Sequence, residues 1–119
     1  MPYVHTNKSP VVCFNDPVDP DSTDWIYFTY QDWLRENETI TAHSAIITGG
    51  TIVIDSTSVG TVADEEGNNY ANSYGVKFSV VTGSTDVSIT HRVSTTVAGS
   101  PDLGRTSIDH TAIIPVVDL

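Results

Sequence analysis

Two of the four histidines in this chain could act together in metal binding, because they occupy matched places in consecutive segments. His91 and His110 each stand in a run where apolar and polar residues alternate, the period typical of a half-buried strand. A hairpin centred between residues 100 and 101 sets the two imidazoles opposite each other. Two histidines are half of a tetrahedral zinc site, and neighbouring strands offer no clear third or fourth ligand. We therefore predict two partly buried, hydrogen-bonded, neutral histidines.

Two acidic segments could supply the carboxylate oxygens that calcium prefers. The first, DPVDPDSTD, carries Asp16, Asp19, Asp21 and Asp24 but lacks the glycine and the terminal glutamate of an EF-hand loop. The second, DEEGNN, has adjacent glutamates that cannot easily converge on one ion. We interpret the first as a solvated turn, with calcium binding as the alternative, and the second as a hairpin tip. No metal or cofactor is expected.

The sequence contains none of the common catalytic motifs. There is no G-x-S-x-G nucleophile elbow, no H-E-x-x-H zinc motif, no P-loop and no G-x-G-x-x-G dinucleotide motif. Cys13, beside Phe14, is interpreted as a small buried hydrophobic residue rather than a nucleophile. We therefore expect a protein that is not an enzyme.

Aromatic residues are concentrated in the run WIYFTYQDW, residues 25–33, which holds five of the chain's ten. Such a density is typical of a sugar-stacking platform or of a protein-binding hot spot. The same residues could instead anchor a hydrophobic core through alternate members of a strand. The possible aromatic contact surface comprises Trp25, Trp33, Tyr70 and Tyr74.

The segments that must position these side chains have the composition of strands. Val, Ile and Thr account for 41 of the 119 residues, and side chains branched at Cβ fit a pleated sheet and lose rotamer freedom in helices. Turn signals recur about every 8 to 12 residues, which favours an all-β sandwich. The only helix candidate is residues 30–37. Strands are predicted at residues 25–30, 38–47, 51–56, 58–63, 74–81, 86–97 and 107–116.

The first 18 residues differ from the rest, and we interpret them as an extended N-terminal arm. Prolines are frequent here, and because proline fixes φ and lacks a backbone donor, this stretch is not expected to enter a central strand or a helix. Its apolar side chains are unusual for a solvated tail, and we expect them to be buried chiefly against other chains. They are Tyr3, Val4, Val11, Val12 and Phe14. Residues 19–119 are expected to form one sandwich domain.

The net charge of −10 argues against two classes of partner. Fifteen acidic and only five basic side chains repel phosphate backbones and anionic lipid headgroups, so we expect neither nucleic acid nor membranes. No apolar run approaches the ~20 residues that span a bilayer. The first residues lack the basic and apolar regions of a secretory signal, and a single cysteine allows no intrachain disulfide. Synthesis in a reducing cytoplasm is expected.

The run DPVDPDSTDWIYFTYQDWLRENETI, followed by a strand and a Gly-Gly turn, resembles small immunoglobulin-like virion proteins of tailed bacteriophages, of the fiber-tail adaptor or cement type. The matching motifs are Asp19-Pro20-Asp21, Asp32-Trp33-Leu34 and Thr39-Ile40, in this order. The ending is also similar, with VSITHRVSTT, then Gly99, then Arg105-Thr106 and a final alternating strand. The resemblance covers about residues 19–116 and implies an immunoglobulin-like β-sandwich.

The same resemblance implies a function. A member of this class is a structural virion protein, made in the host bacterial cytoplasm, that joins tail or collar to fibers in a multi-copy assembly. Its partners are then other virion proteins and copies of itself. The alternatives are a capsid cement protein and, from a different class, a carbohydrate-binding module that stacks sugars on its exposed aromatic residues.

Overall fold

The computed structural model describes residues 3–6, 10–15, 17–19, 22–49, 52–63, 67, 69–81 and 86–116, and within these ranges it describes no side chain for 55–59, 61–63, 70 or 101. Strands dominate the described residues, and one short 3-10 turn, Pro101–Leu103, joins the last two strands. The strands are β1 (Tyr3–His5), β2 (Val11–Cys13), β3 (Thr23–Thr29), β4 (Glu38–Gly49), β5 (Ile52–Ala63), β6 (Asn69–Val80), β7 (Val87–Val97) and β8 (Ile108–Ile114).

The eight strands form two four-stranded sheets that share one core, as in a β-sandwich. The first sheet has the order β1-β3-β6-β5, and the second has the order β2-β8-β7-β4. Alternate residues of each strand point into the core, since branched and aromatic side chains gain most when one face of a sheet is buried. The largest fully buried apolar residues are Tyr30, Phe28, Phe78, Ile26, Ile89 and Ile114. The expected all-β sandwich is confirmed at this level.

The hairpin of β7 and β8 has the predicted register. His91 lies opposite His110, and the flanking pairs Ile89–Ala112 and Val93–Ile108 follow the same register. Because side chains alternate between faces, a slip of one residue would have turned all of these inward residues toward solvent. The register therefore fixes both imidazoles on the core side of the second sheet.

The N-terminal segment supplies an edge strand to each sheet. β1 pairs in parallel with β3, and β2 pairs in parallel with β8. Tyr3 is only 7% exposed, within the core of its own chain, and so for this residue the expected burial against another chain is wrong. Val18 is also buried, beside Val116, where the segment makes one further parallel bridge.

Three local predictions differ from the structure. Residues 31–37 form turns rather than a helix, and the segment ends at Asn37, whose φ of 61° is left-handed and outside the helical region. The segments 51–56 and 58–63 form one continuous strand, β5, with an irregularity between Ile54 and Ser56. Cys13 is exposed, not buried, since its neighbour Val12 is the member of β2 that pairs with the buried Ala112.

Candidate functional site

All four histidines of the chain meet in one aromatic cluster that reaches from β1 to β4. We call it the histidine–tyrosine cluster; its members are His5, His43, His91, His110, Tyr30 and Tyr74. Tyr30 follows β3 directly and is fully buried, with ring centroids 5.6 Å from His91 and 5.3 Å from His110. The ring centroids of His5 and His110 are 6.2 Å apart, and those of Tyr74 and His43 are 4.4 Å apart. Each sheet contributes members, so the cluster joins the two layers.

His91 is at the centre of the cluster and uses both ring nitrogens. Its Nδ1 is 2.6 Å from the Tyr30 hydroxyl, and its Nε2 is 3.3 Å from Nδ1 of His43. Phe28 stacks on the ring with centroids 5.3 Å apart. Burial, with smaller contributions from His43 and His110, lowers the pKa of His91 to about 3. The imidazole is therefore neutral at pH 7, as predicted.

His110 is buried without a complete set of hydrogen bonds. Its Nδ1 has no hydrogen-bond partner among the described residues. The edges of Tyr30 and Trp33 pack against its ring. Burial, His5 and Arg105 lower its pKa to about 4, and Asp109 opposes them. Burial and neutrality were predicted correctly, whereas the predicted hydrogen bonding is wrong for Nδ1 of this ring. The sequence did not identify Tyr30, whose ring contacts both imidazoles.

A buried ion pair beside the cluster fastens the turn of residues 31–37 to the segment after the 3-10 turn. The side chain of Glu38 is fully buried, and both of its oxygens accept hydrogen bonds from Arg105. The Thr95 hydroxyl donates to the same carboxylate at 2.5 Å, and the Arg35 backbone N–H donates at 2.9 Å. The Arg105 guanidinium has the largest effect on this carboxylate, and together with the other donors it holds the pKa of Glu38 far below its usual range.

Arg105 of the ion pair also packs against the ring of Trp33. The Arg105 guanidinium lies 3.4 Å from the centroid of the Trp33 ring, which it covers on one face. The edge of the same ring packs against Tyr30 and His110. Trp33 is thus a structural residue of this corner of the sandwich.

The other predicted aromatic contact residues lie apart from one another. Trp25 lies on the outer face of the first sheet, since its neighbour Ile26 is fully buried. Tyr27, two residues along, stacks beside it with centroids 5.6 Å apart and ring planes 11° apart. Tyr74 belongs to the histidine–tyrosine cluster, and the side chain of Tyr70 lies outside the described residues. The prediction did not include Tyr27, although the two-residue spacing places it on the face of Trp25.

The five apolar residues of the N-terminal segment are distributed between core and surface. Tyr3 packs edge-on against Phe14 with centroids 5.3 Å apart, and Phe14 lies against the core. Val4 and Val12 are half-buried, whereas Val11 is 50% exposed. Contact of this segment with another chain stays a prediction, and Val11 is the residue best placed to make it.

Neither acidic segment forms a metal site that the structure describes. Asp16 and Asp21 lie outside the described residues, as do residues 64–66 of the second segment. Asp24 accepts a hydrogen bond from the backbone N–H of Trp25 at 2.8 Å, and the Asp19 carbonyl accepts from Ser22. In the described ranges no group of three or more histidine, cysteine or acidic side chains could hold an ion.

No family model, curated protein or solved structure matches the chain. Within the described ranges, no helix has the length and apolar character needed to cross a bilayer.

Proposed function

We propose that this chain is a non-enzymatic structural protein of a tailed bacteriophage virion, an adaptor that joins tail or collar to fibers in many copies. The observation that carries the proposal is that its reactive side chains lie inside the fold and not on its surface. The residues most able to do chemistry, His91, His110, Glu38 and Arg105, are tied to one another or packed inside the fold. What the molecule offers to partners is its outer surface and its sheet edges.

The two long edge strands are the surfaces best suited to joining other proteins. β4 and β5 have twelve residues each, and each stands last in its sheet. An edge strand of this length presents a row of backbone donors and acceptors to which another strand can pair. Exposed Ile47 on β4 and Val53 on β5 add apolar contacts. The molecule is also elongated, 51 × 29 × 23 Å, a shape that suits a spacer between larger components.

The strand order supports an immunoglobulin-like identity. In an immunoglobulin constant domain one sheet has strands A, B, E and D and the other has strands C, F and G. If β3 corresponds to strand B, the orders β1-β3-β6-β5 and β8-β7-β4 follow this pattern, with β2 beside strand G. The parallel pairing of β1 with β3 departs from it. This agreement is independent of the short motifs that carry the resemblance to phage virion proteins.

Virion location is the property that tests the proposal. An antibody against the purified domain is expected to label intact phage particles in immunogold electron microscopy, at the collar or fiber attachment site. Label spread over the shell would instead identify the alternative, a capsid cement protein. Particles that contain none of this chain by mass spectrometry would refute both. The net charge of −10 agrees with protein partners rather than with nucleic acid or anionic membranes.

One observation favours a second candidate, a carbohydrate-binding module. Trp25 and Tyr27 lie side by side on the outer face of the first sheet, and Lys77 stands opposite Trp25 on β6. Stacked aromatic rings beside polar groups can hold the apolar face of a sugar. A glycan array tests it: specific binding that is lost in Trp25→Ala and retained in Val11→Ser supports the module. The absence of any glycan signal refutes it.

A further inference from the structure

We propose that His43 and His91 form a binding site for one divalent late first-row transition ion, Zn²⁺ or Cu²⁺, at the edge of the sandwich where β4 leaves its inner face open. Water completes the coordination shell. The site is distinct from the pair His91 and His110 considered on sequence grounds, and it goes beyond the proposed structural function.

The separation of the two nitrogens fits a shared ion. Nε2 of His91 and Nδ1 of His43 are 3.3 Å apart. Zinc binds imidazole nitrogen at about 2.0–2.1 Å, and at a tetrahedral angle two such ligands are about 3.3 Å apart. The distance between the two nitrogens therefore matches one edge of the tetrahedron.

Of the two histidines, His43 on β4 is exposed to solvent and His91 on β7 is buried. On the inner face of the second sheet, Ala45 of β4 lies opposite His91 and His43 lies opposite Val93. Val93 is fully buried, yet His43 is exposed, because β4 is the last strand of its sheet. An ion can therefore approach over His43 while His91 holds it from within.

Neighbouring side chains fix the orientation of both rings. The Tyr74 ring lies against both imidazoles, with centroids 4.4 Å from His43 and 5.0 Å from His91. The Tyr30 hydroxyl is 2.6 Å from Nδ1 of His91. When His91 carries its proton on Nδ1 and donates it to the Tyr30 oxygen, its Nε2 accepts a hydrogen bond from Nδ1–H of His43 in the metal-free protein. The ion takes the place of that proton, and His43 then carries its proton on Nε2. A hydrogen-bond partner on the second ring nitrogen is typical of metal-binding histidines.

The chemistry of the donors selects the class of ion. Neutral imidazole suits Zn²⁺, Cu²⁺ and Ni²⁺ better than Ca²⁺ or Mg²⁺, and copper binds most tightly in this series. With two protein ligands, the site is expected to exchange its ion readily, and the fold does not depend on it.

Binding can be measured on the tag-free protein by isothermal titration with ZnCl₂ and by electron paramagnetic resonance with CuCl₂. We expect one ion per chain and a copper signal split by two imidazole nitrogens. His43→Gln removes one ligand from an exposed position without altering the core. Because changes even to outer-shell partners lower metal affinity about 10- to 100-fold, this variant is expected to weaken binding by at least about tenfold.

Two matched variants separate this site from the rest of the chain. Ser44→Gln places the same new side chain on the outer face of the same strand, opposite Arg92, and is expected to bind as the wild type does. Cys13→Ser removes the exposed thiol, a competing ligand for both metals, and is also expected to leave affinity unchanged. Unchanged affinity in His43→Gln, a copper signal with fewer than two nitrogens, or no binding by the wild type would each overturn the proposal.

Discussion

Acidification from about pH 7.5 to about pH 5 is expected to destabilise this protein through His91 and His110. Their folded-state pKa values are about 3 and about 4, against 6.5 for an unperturbed histidine. Since the folded values are the lower ones, the unfolded chain binds protons more tightly throughout the interval between them. Stability is therefore unaffected above about pH 6.5 and falls as the pH drops below that value.

The size of the loss follows from the same shifts. Each histidine changes the free energy of unfolding by about 1.4 kcal/mol for every pH unit below 6.5 until its folded pKa is reached. At pH 5 this amounts to about 2 kcal/mol for each and about 4 kcal/mol for both, a large part of a typical domain's stability. Glu38 acts in a separate window: its lowered pKa gives stability that is lost only below about pH 4.5.

Urea unfolding followed by tryptophan fluorescence at a series of pH values measures the effect. The double variant His91→Gln with His110→Gln is expected to have a flat profile between about pH 6.5 and 5, and either single variant about half the wild-type slope. Val93→Ala is the control, because Val93 lies on β7 with His91 and is buried in the core between the two sheets. It opens a cavity and lowers stability at every pH without changing the slope.

Two results would refute this reasoning. A wild-type profile that is flat between about pH 6.5 and 5 would mean that the imidazoles are not buried as described. A double variant as steep as the wild type would mean that the slope comes from other groups. Because the single variants give half the effect, the test survives a double variant that fails to fold.

Further predictions concern the ion pair, one glycine, the N-terminal segment and bound metal. Glu38→Gln is expected to cost about 3 to 5 kcal/mol in urea unfolding at pH 7, since it leaves Arg105 without its carboxylate, whereas Asp109→Asn in the exposed pair with Arg92 changes little; equal effects would contradict this. Gly104→Ala is expected to lower the melting temperature by several degrees, because its Cβ would meet the Thr95 carbonyl oxygen, while Gly60→Ala, with open space around it, is neutral. Deletion of residues 1–18 removes β1 and β2 and is expected to abolish the cooperative thermal transition; a truncated chain that melts like the full one would argue that the segment is only a tether. EDTA is expected to change the melting temperature by no more than about a degree, and a drop of many degrees would identify a metal that holds the fold.

The register of the final hairpin could be predicted from sequence because the alternation of apolar and polar residues in both of its strands indicates the same pairing. Each alternates, and one pairing alone buries both inward sets, although ten residues, 98–107, connect the two strands. The turn at residues 31–37 could not be predicted in this way. Its shape depends on Glu38 binding Arg105, a partner 67 residues distant, and no local pattern contains that information.

In the candidate site, too, some positions follow from local sequence patterns and others do not. Burial of His91 and His110 follows from their strands, but His43 lies in the run TAHSAII, where both faces carry apolar residues and the alternation does not choose between them. His5 lies in a three-residue strand whose parallel pairing with β3 has no turn signal. The outer position of Trp25 and Tyr27 was ambiguous because residues 25–28 are all apolar or aromatic, so the alternation does not choose a buried face.

The two parallel edge strands impose an order on folding. Among the strands that the structure describes, β2 pairs with β8 alone, and 100 residues separate Val11 from its partner Thr111. On the ribosome, the segment that is made early must wait until Ile108–Ile114 has been synthesised before the second sheet can close. Distant pairings of this kind slow folding to the range of milliseconds to seconds. Meanwhile Tyr3 and Phe14 are exposed, and a nascent chain is most at risk of association with its neighbours during this delay.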